Sequence, residues 1–288
     1  MSKISMDLVK ELREKTQVSM MDCKKALEES NGDIEQAIEL LRKKGSAVAA
    51  KRAGNETNHG RIEAFIADDL RCGALVETRC ETDFSANTDY MREFVINAAK
   101  TAVASKINTG ESLLASNQQL KNHLDELVAK IAEKIEINKI CLLETTSNGL
   151  VNAYIHPGST VGVIIALAAD KDTTSNRDTL KALARDICMQ IAVNNPLGIT
   201  SEDLDQAVVA KEREIITDQL KDDKRPANIL AKIIDGRLNK FYEEACLYNQ
   251  KFIKNDKLSI AQHLAEVGKQ LGGIQLTVSS FKRFSVGR

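Results

Sequence analysis

Between residues 5 and 44 apolar side chains recur at helical spacing in three short groups. Leu8, Val9 and Leu12 share one face of the first. Ser19 stands where an N-cap belongs, with Asp22 three residues on, so a second helix starts there and carries Met20, Met21, Ala26 and Leu27. Asn31-Gly32 tolerates positive φ and closes it. Asp33 caps a third group in which Ile34, Ala37, Ile38 and Leu41 repeat every three or four positions. This predicts a small three-helix domain. Residues 45–60, GSAVAAKRAGNETNHG, are small, polar and Gly-bearing, and read as a linker with a partly helical stretch at Ala47–Arg52.

The pattern then changes to short apolar runs around polar turns, and it does so twice. GRIEAFIADDLRCGALVETRCETD (60–83) and GLVNAYIHPGSTVGVIIALAADKD (149–172) have equal length. Gly60/Gly149, Ala64/Ala153, Ile66/Ile155, Gly73/Gly162 and Asp83/Asp172 coincide. Each copy reads as a β-hairpin followed by a helix, with Phe94, Val95 and Ala98 on one helix and Leu180, Leu183, Ile187 and Ile191 on the other. Residues 112–137 are mainly helical in pattern and Lys139–Glu144 is a third strand. Ser201 is placed to cap a long helix with Leu204, Val208, Ile215 and Leu220. The charged turn Asp222-Asp223-Lys224-Arg225 and Pro226 lead into a second helix carrying Ile229, Ile233, Phe241 and Tyr242, which makes an antiparallel hairpin. A short helix near Ser259–Gly268 and a strand at Gln275–Val286 follow.

The predicted class is α+β. A three-helix domain spans 1–54, and two duplicated α+β subdomains with antiparallel sheets span 55–146 and 147–288. The second carries the helical hairpin at about 201–246 and a C-terminal helix–strand module at about 258–288.

Charge narrows the function. Lys+Arg number 40 and Asp+Glu 41 in 288 residues, for a net charge of −1. A nucleic-acid binder ordinarily carries a basic excess, so direct nucleic-acid binding is disfavoured. The charged N-terminal stretch has no apolar h-region, and the longest apolar run, Val161–Ala169, is strand-sized against the roughly 20 residues of a membrane span. A cytoplasmic protein with no membrane association is expected. Six cysteines without C-x-x-C spacing fit reduced thiols and neither a zinc site nor a disulfide scaffold.

Chemistry is sparse. The P-loop, the dinucleotide G-x-G-x-x-G, H-E-x-x-H and G-x-S-x-G patterns do not occur. The four histidines do not cluster, and Cys80 with His156 is a remote candidate for a thiol–imidazole pair. No cofactor, metal or catalytic residue is expected. What remains is apolar side chains at helix starts and loops. Met20 and Met21 are adjacent on one helix, so both cannot face inward. Phe84 sits in the polar stretch CETDFSAN, either as a plug in its own core or aimed at another molecule. His156 stands at a tight bend with Pro157-Gly158.

These residues carry a resemblance. LREKTQVSMMDCKKAL (12–27) and ETDFSAN (81–87) resemble the two signatures of the bacterial elongation factor Ts family. The downstream His156, Gly158 and Val161-Gly162-Val163, and the closing FKRFSVG (281–287), are also similar to it. Ser85 departs from the family, which usually has an apolar residue there. The resemblance implies a guanine-nucleotide exchange factor for the GTPase elongation factor Tu, not an enzyme, with a ubiquitin-associated-like N-terminal domain. It implies that Lys10, Arg13, Met20 and Met21 dock on the GTPase domain, and that Thr82, Asp83, Phe84 and Ser85 dislodge the partner's magnesium. Ile131 and His156 would touch the same domain, and Ile253 and Lys254 another part of the partner. A homodimer and a two-plus-two complex both stay open. The competing reading is a protein-binding scaffold without exchange activity.

Overall fold

The computed structural model describes residues 4–145, 148–221, 223 and 225–287. The expected subdomain boundary at 146/147, and Asp222 and Lys224 of the expected charged turn, lie outside them. The fold is α+β.

Helices α1 (Met6–Thr16), α2 (Met20–Glu29) and α3 (Ile34–Lys51) begin at Ser5, Ser19 and Asp33, whose side chains accept the backbone N–H groups of Leu8, Asp22 and Gln36. Asn31 and Gly32 follow α2 with φ of 52° and 90°. Val9, Leu12, Val18, Cys23, Ala26, Leu27, Ala37 and Leu41 form the buried core of these helices.

The first part of the segment read as a linker belongs to α3, which runs to Lys51 and takes in the expected helical stretch, while residues 52–58 are turn and irregular chain. Gly45 looked like a stop signal because glycine weakens a helix interior. Its role is spatial. A Cβ there would lie 2.1 Å from the carbonyl oxygen of Asp125 and 3.1 Å from Cβ of Ala129, so α3 crosses the later helix α7 (Gln118–Ile131) at near backbone contact. Arg42 and Glu126 add an ion pair across the same crossing.

Strands β1 (His59–Ile66) and β2 (Cys72–Cys80) pair antiparallel, with His59 opposite Cys80 and Ile66 opposite Gly73. After them come α4 (Asp83–Ala86), α5 (Asp89–Ser105), α6 (Gly110–Ser116), α7 and β3 (Ile135–Glu144). The sheet order is β1-β2-β3. The last strand starts four residues earlier than its apolar pattern suggested, because Ile135 and Ile137 alternate into the core. That core joins Ala74 and Val76 of β2, Met91, Phe94, Val95, Ala98 and Ala102 of α5, and Leu120, Leu127 and Val128 of α7.

A second three-stranded sheet has the order β4-β5-β8, from β4 (Leu150–Ile155), β5 (Val161–Ala169) and β8 (Leu276–Ser285). Between β5 and β8 lie α8 (Arg177–Asn194), α9 (Gln206–Gln219), α10 (Ala227–Ala245), β6 (Lys251–Phe252), β7 (Asn255–Ser259) and α11 (Ile260–Gln270). Helix α9 starts later than expected. Residues 201–203 are a 3₁₀ turn, and Asp205 caps α9 through the Ala207 N–H. That phase turns Val209, Ile216 and Leu220 toward Leu230, Ile233 and Leu238 of α10, and leaves Val208 and Ile215 exposed. The two-residue strand β6 was too short to register in the pattern.

The chain falls into two compact units. One comprises Met1–Leu142, Ile155–Gly162 and Phe284–Arg288; the other comprises Leu143–Tyr154 and Val163–Arg283. Thus the three helices share a unit with the first hairpin, and the tip of the second hairpin counts with them. Among the described residues no helix is long and apolar enough to cross a membrane.

Candidate functional site

Thr82, two residues past β2, caps α4, its hydroxyl accepting the Ser85 N–H at 3.3 Å. This single turn aims Phe84 outward: its side chain is 84% exposed, more than any other large apolar residue among those described. Asp83 beside it is also exposed. The internal-plug reading of Phe84 therefore fails. The plug is Ser85, buried with Ala86. Its hydroxyl lies 3.2 Å from Thr82 Oγ1 and its carbonyl accepts from Thr88 Oγ1 at 2.9 Å, so a polar residue fits where the family usually has an apolar one.

The turn is held from several sides. Glu133, in the loop after α7, accepts the Thr82 N–H at 3.1 Å and the Thr82 hydroxyl at 2.7 Å. Glu81 accepts the Lys134 N–H at 2.7 Å, Asn55 Nδ2 at 2.9 Å and two bonds from Arg52 Nη1. The bond from the Lys134 amide, with Asn55 and Arg52 behind it, holds the Glu81 carboxyl below the usual carboxylate range. Arg61 on β1 donates to the Ala86 carbonyl at 3.4 Å and pairs with Glu63 at 2.7 Å.

Ile131 is the last residue of α7, half-buried against the sheet core, and Ala132 after it is left-handed with φ of 59°. His156 is exposed at the tip of the β4/β5 hairpin, where its N–H donates to the Val161 carbonyl and its carbonyl accepts from Ser159. Gly158 has φ of 89°. The Ser159 carbonyl accepts the Ile62 N–H at 2.7 Å. Strand β1 thus holds α4 through Arg61 and the His156 turn through Ile62.

On the three helices, Met20 packs into the core while Met21 is 62% exposed, as adjacent positions on a helix require. Lys10 and Arg13 lie one turn apart on the outer face of α1, in line with exposed Met6. Phe84, Ile131, His156 and the three-helix residues all belong to one compact unit. Ile253 and Lys254 belong to the other. They form the tip between β6 and β7, where Ile253 is 43% exposed, its N–H bonds Gln190 Oε1 and Lys254 pairs with Asp186 at 2.7 Å.

Cys80 is not set up as a nucleophile. Cys80 is buried, its thiol donates to the Thr82 carbonyl at 3.1 Å, and burial with nearby Glu133 pushes its pKa up to about 12. Among the described residues no group of three His, Cys, Asp or Glu side chains is placed to hold a metal.

Sequence reasoning found the exposed turn but missed its anchors. Glu133 lies 51 positions from Thr82, and no local pattern marks it.

Residues 81–288 match the sequence model of the family described as Elongation factor TS. The chain is similar to an elongation factor Ts of Clostridium botulinum strain 657, with 37% identity over 290 positions that cover 99% of this chain and 92% of the relative. An elongation factor Ts of Clostridium perfringens strain 13 is 40% identical over 288 positions, covering 99% and 93%.

Proposed function

The chain belongs to the elongation factor Ts family, and from that membership we propose how its exposed turn works. It is a guanine-nucleotide exchange factor of translation elongation, whose partner is elongation factor Tu. It drives no bond-making step of its own. It acts in the cytoplasm and needs no nucleic acid or membrane.

A P-loop GTPase holds GDP through its phosphate-binding loop, a lysine and Mg²⁺. An exchange factor must bind the nucleotide-free state better than the nucleotide-bound one, and by linkage GDP weakens the factor as much as the factor weakens GDP. Phe84 is the wedge. Its exposure in the free protein is the observation that carries this reading. Inserted between partner helices it gains about 2 kcal/mol from burial. That gain exists only where the partner opens to receive it, so it favours the state in which the Mg²⁺-positioning residues have moved. Asp83 brings a negative charge beside the metal and phosphates, Thr82 fixes the approach angle and Ser85 roots the turn.

Lys10, Arg13, Met20 and Met21 dock the three-helix domain on the GTPase domain, with Met21 supplying the exposed contact and Met20 its support. Ile131 and His156 contact the same domain, His156 pressing on the phosphate loop, and Ile253 and Lys254 engage the partner elsewhere. The domain limits 1–54, 55–146 and 147–288, the ubiquitin-associated-like character of the first and the duplication of the other two belong to the same proposal. The test is release of a fluorescent GDP from purified elongation factor Tu. Acceleration by the wild-type chain, lost in Phe84→Ala, is expected. Binding without acceleration would instead support a scaffold.

A further inference from the structure

Two carboxylates are exchanged between neighbouring segments at the root of the Phe84 turn. Glu133 reaches from the loop after α7 to the Thr82 N–H and hydroxyl just past β2. Glu81 reaches in the opposite direction, from just past β2 to the Lys134 N–H in that loop. Each carboxylate therefore closes on a backbone donor beside the other's own residue, and together they make a reciprocal clamp. Charge-assisted bonds of this kind are short and directional.

The clamp has further attachments. Arg52, just past the end of α3, donates twice to Glu81, and Asn55 donates once. Lys134 Nζ returns to the Asn55 carbonyl at 3.2 Å. The three-helix domain is therefore tied to the same point. On its two sides the clamp carries Phe84, two residues beyond Thr82, and Ile131, two residues before Glu133. Phe84 has almost no contacts of its own, so only the backbone of α4 aims it. Four residues make too short a helix to hold direction unaided.

We propose that Glu81 and Glu133 are positioning residues for nucleotide exchange, locking the Phe84 turn and the end of α7 into one rigid docking edge. The proposal rests on the exchange reading. Neither carboxylate need touch the partner. A wedge that swivels spends its burial on many poses, and misplacement by an ångström can forfeit a large factor in rate.

The test measures fluorescent GDP release from elongation factor Tu against the concentration of the full chain. Glu133→Ala is expected to lower the maximal rate on the order of tenfold while the half-saturating concentration stays within about twofold. Glu133→Gln should recover most of it, since the amide oxygen still accepts the Thr82 N–H. In a Phe84→Ala background, Glu133→Ala should add little, because the turn then presents nothing to aim. Glu81→Ala should resemble Glu133→Ala. Equal losses with and without Phe84, or an unchanged maximal rate, would overturn the proposal. A separate arm needs no partner: hydrogen exchange at residues 82–86 should speed up in Glu133→Ala and Glu81→Ala, and unchanged protection would overturn the clamp. Should one of the two truncations prevent folding, the other carries both arms. A wild-type chain that fails to release GDP refutes the exchange reading, while the hydrogen-exchange arm still decides the clamp.

Discussion

The turns that follow the two repeated hairpins start from matching positions and are capped by different residues. After β5, the turn's own aspartate caps its amides, and other bonds tie the turn to distant chain. Asp172 Oδ1 accepts the Thr174 N–H at 3.0 Å and its hydroxyl at 2.7 Å, and Asp170 exchanges bonds with Gln275. No aromatic is present, and a 3₁₀ turn leads into α8. After β2, Asp83 makes no such local cap. There Thr82 does the capping, Glu133 and Glu81 anchor the root from outside, and the Asp83 side chain is left uncommitted. Asp83 and Phe84 both project. Where the aspartate caps the turn its side chain is used up, whereas where Thr82 takes that task Asp83 and the aromatic beside it can be offered to a partner.

Beneath the turns the copies agree. A Cβ at Gly60 would stand 2.1 Å from the Thr78 carbonyl oxygen, and one at Gly149 would stand 2.1 Å from that of Leu167. Gly60→Ala and Gly149→Ala should therefore each cost about 3 kcal/mol, since backbone must shift to admit a methyl group. Urea unfolding measures both. A much smaller loss at one of them would break the equivalence of the copies at its foundation.

The turns themselves should part sharply in function. Phe84→Ala should reduce exchange by about 2 kcal/mol, on the order of 30-fold, with the melting temperature held, because the ring is not part of any core. Thr174→Ala, at the self-capped turn, should leave exchange intact. A Phe84 variant that melts early yet exchanges normally would reverse the assignment.

Magnesium sharpens the contrast between Phe84 of the first copy and His156 of the second. If the wedge works on the metal, chelation should shrink the ratio of catalysed to uncatalysed GDP release several-fold, one phosphate clamp being already gone. Phe84→Ala should lose most of its defect in chelator and His156→Ala should keep its own. Equal Phe84 defects in both conditions would place the wedge in docking rather than in metal release.

What could be read from the chain follows the range of each signal. The caps at Ser19 and Asp33 and the split between Met20 and Met21 depend on residues within one turn, and all were legible. Gly45 was misread because its reason, the backbone of α7, lies 80 positions downstream (45 to 125). On the α9/α10 hairpin Leu220 was placed correctly in the seam, but Val209 and Ile216 take the places expected for Val208 and Ile215. The exposure of Phe84 came from resemblance, since a lone aromatic carries no local mark of its direction. The clamp at Glu81 and Glu133 was invisible for the same reason as Gly45.

The smallest expected effect compares the units by pH. Each holds one imidazole against an aromatic ring. His123 meets Phe94 edge-on at 5.4 Å in the first, and His263 stacks on Phe252 at 4.2 Å in the second. Burial lowers the pKa of both below the ordinary 6.5, outweighing nearby carboxylates that pull the other way. The unfolded chain therefore takes up these protons before the folded one does. The stability they provide is whole above pH 6.5 and declines as pH falls below it toward the lower folded values. Above the carboxylate range this loss belongs to the histidines. Urea midpoints at pH 7.5 and 5.5 should show a modest drop for the wild type. His123→Leu and His263→Leu should each flatten it, the first in the unit that carries the wedge and the second in its neighbour. A midpoint that rises on acidification would mean that the carboxylates around these rings outweigh their burial.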